Sequence, residues 1–232
     1  MNWLDRMIAD DVRILNTADM LKWNASKTYL HNMRDKGASI VPLEIIDTTS
    51  AEKALAVAKN NHLDTFILKP LINACGINTY KLQINEPEKV QAALDDIFKA
   101  GKDQDIEQKA ILQPFVKAVE DEGEWSLIFF NGKYSHAVLK KPAKGNFLVQ
   151  SRWGGLASTA EPSEELIKQA RKTLDTLDQM PLYARVDGFF DKGHFMLLEL
   201  ELNEPYLFFS NNDNAPSAFA DAVEQQTQNG EY

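Results

Sequence analysis

Alternating charged residues near the C-terminal end of the chain have the chemistry of a metal site. Segment 183–205 reads YARVDGFFDKGHFMLLELELNEP, with two alternating runs on either side of Asp191–Gly193. Alternation predicts two strands, and the composition of the middle predicts a hairpin with a three-residue loop. Such a loop would pair position 187 with 197 and position 185 with 199. One face of the hairpin would then carry four charged side chains, namely Arg185, Asp187, Glu199 and Glu201.

Carboxylates gathered on one face of a sheet repel each other and resist burial unless a cation joins them. Oxygen ligands without His or Cys favour Mg²⁺ or Mn²⁺, whose coordination is completed by phosphate oxygens. The alternative interpretation is a solvated face whose acids bind nothing. Alternation places the apolar residues Phe189, Phe195 and Leu197 on the same face, which favours a metal site over a solvated face.

The overall composition argues against several classes of partner. The 232 residues include 25 Lys and Arg against 34 Asp and Glu, which gives a net charge of −9 and a pI near 5.0. A chain this acidic, without a basic run, is not expected to bind nucleic acid or an anionic membrane. The sequence has neither a run of about 18 apolar residues nor the features of a signal peptide, so we expect a cytoplasmic protein.

The hydrophobic pattern predicts a mixture of helices and strands that includes two hairpins. Near the N-terminal end, we expect a short strand at Val12–Leu15 and a helix that is capped by Asn24 and runs to about Lys36. Short strands are also expected at Ser39–Val41 and Phe147–Gln150. The other strands are expected at about 65–69, 79–83, 110–116, 125–130 and 134–140, and the other helices at about 50–60, 86–98, 163–178 and 215–226.

Two lysines occupy positions typical of phosphate contacts. Lys27 would take the third position of the helix that Asn24 caps, where free N–H groups and an ammonium can bind an anion. A solvated lysine, tolerated there at a cost of ~0.3–1 kcal/mol, explains this residue equally well. Lys69 ends a strand just before Pro70 and a loop of small residues. That position suits phosphate binding, but it is also common for exposed lysines.

Two side chains with reactive chemistry have plainer interpretations. Cys75 is the single cysteine, which excludes an internal disulfide and disfavours a thiolate zinc site. No histidine lies near it in sequence, so an ordinary loop position is favoured over a nucleophile. His136 could be a base or a metal ligand, but it alternates with Tyr134 and Val138. This pattern favours a hydrogen-bonded structural histidine.

The order of these motifs resembles that of the ATP-grasp superfamily. From the N-terminal end the motifs are WNASKTYL, ILKPLINACG, LQPFV, GEWSL, KKP with a later GG, and ARVDG with LELELNEP. Within the superfamily the chain is most similar to bacterial glutathione synthetases and to small ATP-grasp ligases like that of the cycloserine pathway. The resemblance runs from about Trp23 to Phe209, and its specificity lies in the order and spacing of the motifs.

This resemblance implies the ATP-grasp fold, in which two α+β lobes with antiparallel sheets grip ATP between them. Residues 1–36 would be an N-terminal helical segment, the remnant of a domain that precedes the ATP-grasp lobes. Residues 37–113 would form the smaller lobe, and residues 114–232 the larger lobe with the metal site. The protein would be either self-sufficient or completed by a partner chain or a second copy of this chain that supplies the missing N-terminal domain.

The resemblance also implies which residues bind the nucleotide. Lys27 and Lys69 would hold the α- and β-phosphates of ATP. Backbone atoms of Gln113 and Phe115 would meet the adenine, and Glu124 would bind the ribose hydroxyls.

The metal ligands and catalytic cations follow from the same resemblance. Asp187 and Glu199 match the two carboxylate ligands of the family, while Glu201 and Asn203 both remain candidates to complete the metal shell. The cofactors would be ATP with two Mg²⁺ ions, or with Mn²⁺ in their place. Lys140 and Arg185 are the candidates for neutralising charge at the reacting atoms. No general acid or base is obvious in the sequence. Positioning of the reactants can suffice for this chemistry.

The implied activity is ligation of a small-molecule carboxylate to an amine or similar nucleophile through an acyl phosphate. Two other functions compete with it: an ATP-binding module or degenerate subunit without ligase activity, and a phosphotransferase on the same lobes. The motif GNFLVQ supports the module, because relatives carry an arginine at the position of Leu148, as in GDFRVQ. Arg152 is a possible substitute for that cation. The phosphotransferase has no residue of its own in its favour.

Overall fold

The structure is a computed structural model that describes residues 2–229. Its helices are α1 (Asn2–Ala9), α2 (Ala18–Asn24), α3 (Tyr29–Asp35), α4 (Ala51–Asn60), α5 (Pro87–Asp103), α6 (Lys117–Asp121), α7 (Glu164–Leu174) and α8 (Ala215–Asn229). Its strands are β1 (Glu44–Ile46), β2 (Thr65–Pro70), β3 (Tyr80–Gln83), β4 (Ala110–Pro114), β5 (Glu124–Phe130), β6 (Lys133–Lys141), β7 (Leu156–Thr159), β8 (Tyr183–Asp191) and β9 (His194–Glu201). All strands of both sheets pair in antiparallel fashion, which confirms the predicted α+β class.

The chain divides into two compact units. Unit 1 comprises Met1–Ile40, Glu122–Lys141 and Leu156–Tyr232, and unit 2 comprises Val41–Asp121 and Pro142–Gly155. Residues 1–36, expected to be an N-terminal segment, therefore belong to unit 1. Residues 37–113 fall almost wholly in unit 2, and residues 114–232 contribute to both units.

Unit 2 is built on a four-stranded sheet in the order β1-β4-β2-β3. Alternate residues of β2, Phe66 and Leu68, are fully buried among side chains of α4 and α5. Ser50 caps α4 by accepting a hydrogen bond from the backbone N–H of Lys53, as its position before an Ala-rich run predicts. Pro87 begins α5, where the missing N–H of proline costs nothing.

Unit 1 is built on a five-stranded sheet in the order β7-β6-β5-β8-β9. The β5–β6 hairpin turns on Asn131 and Gly132 with φ of 46° and 70°, as the Asn-Gly dipeptide predicts. Helix α7 packs on this sheet through a buried stripe that includes Leu166, Ala170 and Leu174. β9 lies at the edge of the sheet, so one side of its backbone has no strand beside it.

The register of the β8–β9 hairpin differs from the predicted one. Asp187 pairs with Glu199 and Arg185 with Glu201, because a β-bulge shifts the register between Asp187 and Gly188. The turn consists of Lys192 and Gly193 alone, with φ of 49° and 83°, and the predicted pairing of 187 with 197 and 185 with 199 is wrong.

The bulge separates the apolar residues of β9 from the charged face. Gly188 pairs with Leu197, so Leu197 and Phe195 lie on the face opposite Asp187, and their predicted place beside the acids is wrong. A Cβ on Gly188 would lie 2.4 Å from the Phe195 ring, which explains why a glycine occupies this position. The expectation that the four charged side chains share one face is confirmed by their contacts, described below.

Several short elements near the N-terminal end also differ from the predictions. Val12–Leu15 forms no strand. Asn24 ends α2 rather than capping a helix, and Lys27 lies in the turn before α3 rather than at a third helical position. Ser39–Val41 contributes a single bridge, in which Ile40 pairs with Leu197 of β9.

Two further differences concern segments later in the chain. Phe147–Gln150 forms no strand, and the edge strand β7 forms instead at Leu156–Thr159, where the sequence predicted none. Helix α5 continues beyond Phe98 to Asp103. In the part of the chain that the structure describes, no helix is both long enough and apolar enough to cross a membrane.

His136 has the structural role that its strand predicts. The side chain is buried in β6, with Nε2 and the Leu207 carbonyl oxygen 2.9 Å apart and Nδ1 and the Ser135 hydroxyl oxygen 2.9 Å apart. Because a carbonyl can only accept, Nε2 carries the proton and Nδ1 accepts from Ser135. Burial lowers the pKa of His136, so the folded protein holds it neutral.

This burial predicts a pH dependence of stability. The lowered pKa means that the unfolded chain binds a proton more readily than the folded protein, so the contribution of His136 is present above the unfolded pKa of about 6.5 and is lost below it. We expect wild-type protein to lose more free energy of unfolding between pH 7.5 and pH 5.5 than His136→Gln, as measured by urea denaturation. An equal loss in both proteins would contradict this assignment.

Candidate active site

A buried carboxylate, that of Asp187, lies at the centre of the charged face of unit 1. Only 2% of the residue is exposed. Ser126 donates its hydroxyl to Oδ1 at 2.6 Å, and Lys140 Nζ lies 3.1 Å from Oδ2. Arg185 Nε lies 3.0 and 3.1 Å from the two oxygens, and Arg185 Nη2 lies 2.9 Å from Oδ2. Both oxygens of Asp187 are therefore engaged by the protein itself.

The strand register explains why these groups meet. Ser126 of β5 pairs directly with Asp187 of β8, and Glu124 of β5 pairs with Lys140 of β6. Directly opposed residues in an antiparallel pair point to the same face. Lys140 Nζ thus reaches both acids and lies 2.5 Å from Glu124 Oε1. Three adjacent strands contribute to one continuous network of charges.

β9 extends this network with two further acids. Glu201 accepts a hydrogen bond from Arg185 Nη2, and Glu199 Oε1 lies 2.9 Å from Lys27 Nζ. Lys27 comes from the turn between α2 and α3 and is itself 95% buried, with 5% of the residue exposed. The side chains of Glu199 and Glu201 are about one third exposed, at 32% and 29%. The network therefore runs from a buried centre to a partly exposed margin.

Burial and charge act in opposite directions on these groups. Burial raises the pKa of a carboxyl, but the charges of Arg185 and Lys140 outweigh it at Asp187 and lower its pKa to about 2. At Glu124 and Glu201 burial prevails, and the pKa of each is raised. Four carboxyl groups face three cations in this network, and because burial raises the pKa of Glu201 to about 8, the network is close to electrically neutral at pH 7.

The donor set fits a divalent metal only in part. Among residues 2–229, no three His, Cys, Asp or Glu side chains converge in an arrangement ready to hold a metal. Glu199 and Glu201 fit by chemistry, because they are partly exposed oxygen donors. Asp187 does not fit until Arg185 or Lys140 releases it. Asn203 follows two residues after Glu201, and its backbone carbonyl accepts a 2.8 Å hydrogen bond from the Tyr183 hydroxyl.

The other predicted nucleotide contacts belong to unit 2. Lys69 lies in β2, and Gln113 lies buried in β4, where its backbone pairs with Ile67. The backbone N–H of Phe115 donates to the Thr65 carbonyl at 3.3 Å, so this amide already has a partner. Lys81 Nζ lies 3.5 Å from the centroid of the Phe115 ring, a cation–π contact that fixes the ring beside β3.

The segment that departs from the ATP-grasp pattern also lies in unit 2. Leu148 packs over Gly76, where a Cβ would lie 3.3 Å from its Cδ2. Trp153 Nε1 donates to the Cys75 carbonyl at 2.9 Å, so the exposed Cys75 sits in a loop held by this segment. The Arg152 guanidinium lies 5.7 Å from the Trp153 ring.

Ser126 is a site residue that the sequence analysis missed. Ser126 lies two residues after Glu124 in β5, and residues two apart in a strand share a face. This spacing could have predicted that Ser126 lies on the same face as the candidate ribose ligand. Asn24 and Tyr29 were also missed as contacts of β9. No sequence signal marks them, because their partners are backbone groups of a distant strand.

Comparison with known proteins gives one sequence relative. No family model matches this chain. The cycloserine biosynthesis protein DcsG of Streptomyces lavendulae is 24% identical over 226 residues, which amount to 92% of this chain and 73% of that protein. The crystal structure of the D-cycloserine synthetase DcsG matches with a TM-score of 0.82 at 23% identity and covers 97% of this chain and 78% of that chain.

Two other ligases are similar in structure. The ATP-grasp ligase PsnB, complexed with a phosphomimetic variant of its minimal precursor, Mg and ADP, has a TM-score of 0.63 at 15% identity, over 97% of this chain and 66% of that chain. The D-alanine–D-alanine ligase of Bacillus anthracis, complexed with ATP, has a TM-score of 0.61 at 14% identity, over 90% and 68%. At these identities the likeness establishes the fold.

The network predicts that Asp187 stabilises the protein as well as the site. In Asp187→Asn, Arg185 and Lys140 keep their charges in a buried place with one counter-charge fewer, so we expect a loss of about 3–5 kcal/mol in the free energy of unfolding. The control is Asp103→Asn, which breaks an exposed ion pair with Lys99 and should leave stability nearly unchanged. Equal unfolding midpoints for wild-type protein and Asp187→Asn would contradict the account.

Proposed function

This chain has the ATP-grasp fold, as its motifs predict, and from that premise we propose that it is an ATP-dependent ligase. It would join a small-molecule carboxylate to an amine or similar nucleophile. The observation that carries the proposal is the network around Asp187, in which Lys27, Lys140 and Arg185 are each held by a carboxylate. Burying this many charges is costly unless a ligand uses them. A polyphosphate bound with a divalent cation has the charges to do so.

The ion pairs suggest how the nucleotide would be accepted. Lys27 would move its ammonium from Glu199 to a phosphate oxygen, and Arg185 would do the same from Glu201. Each carboxylate would then be free to bind Mg²⁺, with Asp187 and Asn203 as further candidate ligands. When bound, the metal would neutralise phosphate charge and orient the γ-phosphoryl group. The exchange conserves charge pairing, because each cation trades a carboxylate for a phosphate and each carboxylate trades a cation for the metal.

The remaining nucleotide contacts follow from the sequence motifs. Glu124 is proposed for the ribose hydroxyls, and Lys140 holds its carboxylate in place from the neighbouring strand. Lys69 of unit 2 is proposed for the phosphates, and the backbone of Gln113 and Phe115 for the adenine.

The proposed reaction has two steps. An oxygen of the substrate carboxylate attacks the γ-phosphorus, the bond to the β–γ bridging oxygen breaks, and ADP leaves with that electron pair. The nucleophile then attacks the acyl carbon, inorganic phosphate leaves, and the nucleophile loses a proton. Arg185 and Lys140 are proposed to neutralise the charge that develops in both steps. Stabilisation of such charge by preorganised groups is usually the largest single contribution to the rate enhancement of an enzyme.

A second candidate is an ATP-binding module that performs no ligation. Leu148 favours it, because an aliphatic side chain cannot supply the charge that an arginine supplies in relatives. This candidate binds MgATP through the same network but releases no ADP when acceptors are added.

Turnover separates the two candidates. The protein is incubated with MgATP and pools of amino acids and other carboxylic acids, and ADP and phosphate are followed. We expect acceptor-dependent ADP release that falls by roughly 100-fold in Glu199→Gln, because a candidate metal ligand is lost. The control Glu204→Gln changes an exposed acid near the end of β9 and should retain turnover. MgATP binding without turnover under any acceptor would reject the ligase in favour of the module.

A further inference from the structure

The free edge of β9 is covered by side chains from the N-terminal segment. An edge strand presents unpaired N–H and C=O groups on one side. At the end of β9 and just after it, these groups belong to Leu200 and Leu202, which are both buried, whereas the Leu197 N–H earlier on the same edge donates to the Ser39 carbonyl at 2.9 Å. The Tyr29 hydroxyl accepts from the N–H of Leu200 at 2.9 Å, and Asn16 Nδ2 donates to the carbonyl of Leu202 at 2.9 Å.

Asn24 makes the contact that most resembles a strand. Its Nδ2 donates to the Leu200 carbonyl at 2.9 Å, and its Oδ1 accepts from the Leu202 N–H at 2.9 Å. A residue in a β-ladder supplies the same pair, one donor and one acceptor, to its neighbour. Only 8% of Asn24 is exposed, so water does not compete freely for these bonds. The two bonds flank Glu201, whose backbone is thereby held on both sides.

The same short segment also delivers Lys27 to Glu199. Asn24 and Tyr29 bind the backbone of β9, and Lys27 between them binds a side chain on its charged face. Without these contacts, β9 would be attached to the sheet through β8 alone along the stretch that carries both glutamates. The backbone position of both candidate metal ligands and the ion pair of Glu199 thus depend on one short segment of the chain.

We propose that Asn24 is a positioning residue for Glu199 and Glu201. It touches neither nucleotide nor metal, and it acts by fixing the backbone from which the two carboxylates project. The inference rests on the proposed function of the site, because the two hydrogen bonds of Asn24 affect nucleotide binding only if Glu199 and Glu201 bind the metal. A group that orients metal ligands typically contributes 10–100-fold to metal affinity.

Two readouts on the full-length protein test this inference. Hydrogen exchange of β9 peptides in the absence of ligand should be severalfold faster in Asn24→Ala, because the Leu202 N–H loses its acceptor. The Mg²⁺ or Mn²⁺ concentration that half-saturates ATP binding should rise about tenfold or more. The control Asn32→Ala removes an exposed asparagine of the same segment, whose partner is Trp23, and should change neither readout.

Asn24→Gln guards against a variant that fails to fold. It keeps both the donor and the acceptor on a side chain that is one methylene longer, so the two bonds are weakened and not removed, and an intermediate rise in the half-saturating metal concentration is expected. A role in stability alone would lower the melting temperature of both variants and leave that concentration unchanged, which would overturn the inference. Wild-type protein that binds ATP without any metal dependence would instead reject the proposed function, and the inference with it.

Discussion

The buried carboxylate of Asp187 is the constraint on which the rest of unit 1 depends. An ionised group at this depth persists only because two cations and a hydroxyl compensate for its lost hydration. Lys140, Arg185 and Ser126 come from three strands, so the register of β5, β6 and β8 must be kept for all of them to reach it. The fold and the site therefore depend on the same register.

The cations that stabilise this carboxylate are also the groups that a phosphate would attract. Arg185 connects the buried Asp187 to Glu201, and Lys27 forms an ion pair with Glu199. The network therefore ends at two acids whose side chains are partly exposed. An exchange of partners with a metal-bound polyphosphate would release these acids without leaving any charge unpaired. Such an exchange is the physical basis of the ligase function proposed for this ATP-grasp fold.

Much of this face could be predicted from the sequence, because alternation in a strand decides which side chains share a side. The register of the hairpin could not be predicted in this way, because it depends on a bulge beside Gly188. There the Phe195 ring of one strand lies over the glycine of the other, and such a contact leaves no pattern in the sequence. The residue types around Lys27 identify it as an anion-binding candidate, but the prediction that it lies at the third position of a helix is wrong. Asn24 binds the backbone of β9 instead of capping that helix. Side chains that bind the backbone of a distant strand leave no periodic pattern.

The most direct measurement is a crystal structure of the protein with Mg²⁺ and a non-hydrolysable ATP analogue. We expect Lys27 and Arg185 to contact phosphate oxygens and Glu199 and Glu201 to bind the metal, with the strand pairing of Asp187 unchanged. A complex in which the nucleotide binds while the Lys27–Glu199 and Arg185–Glu201 pairs stay intact would contradict it.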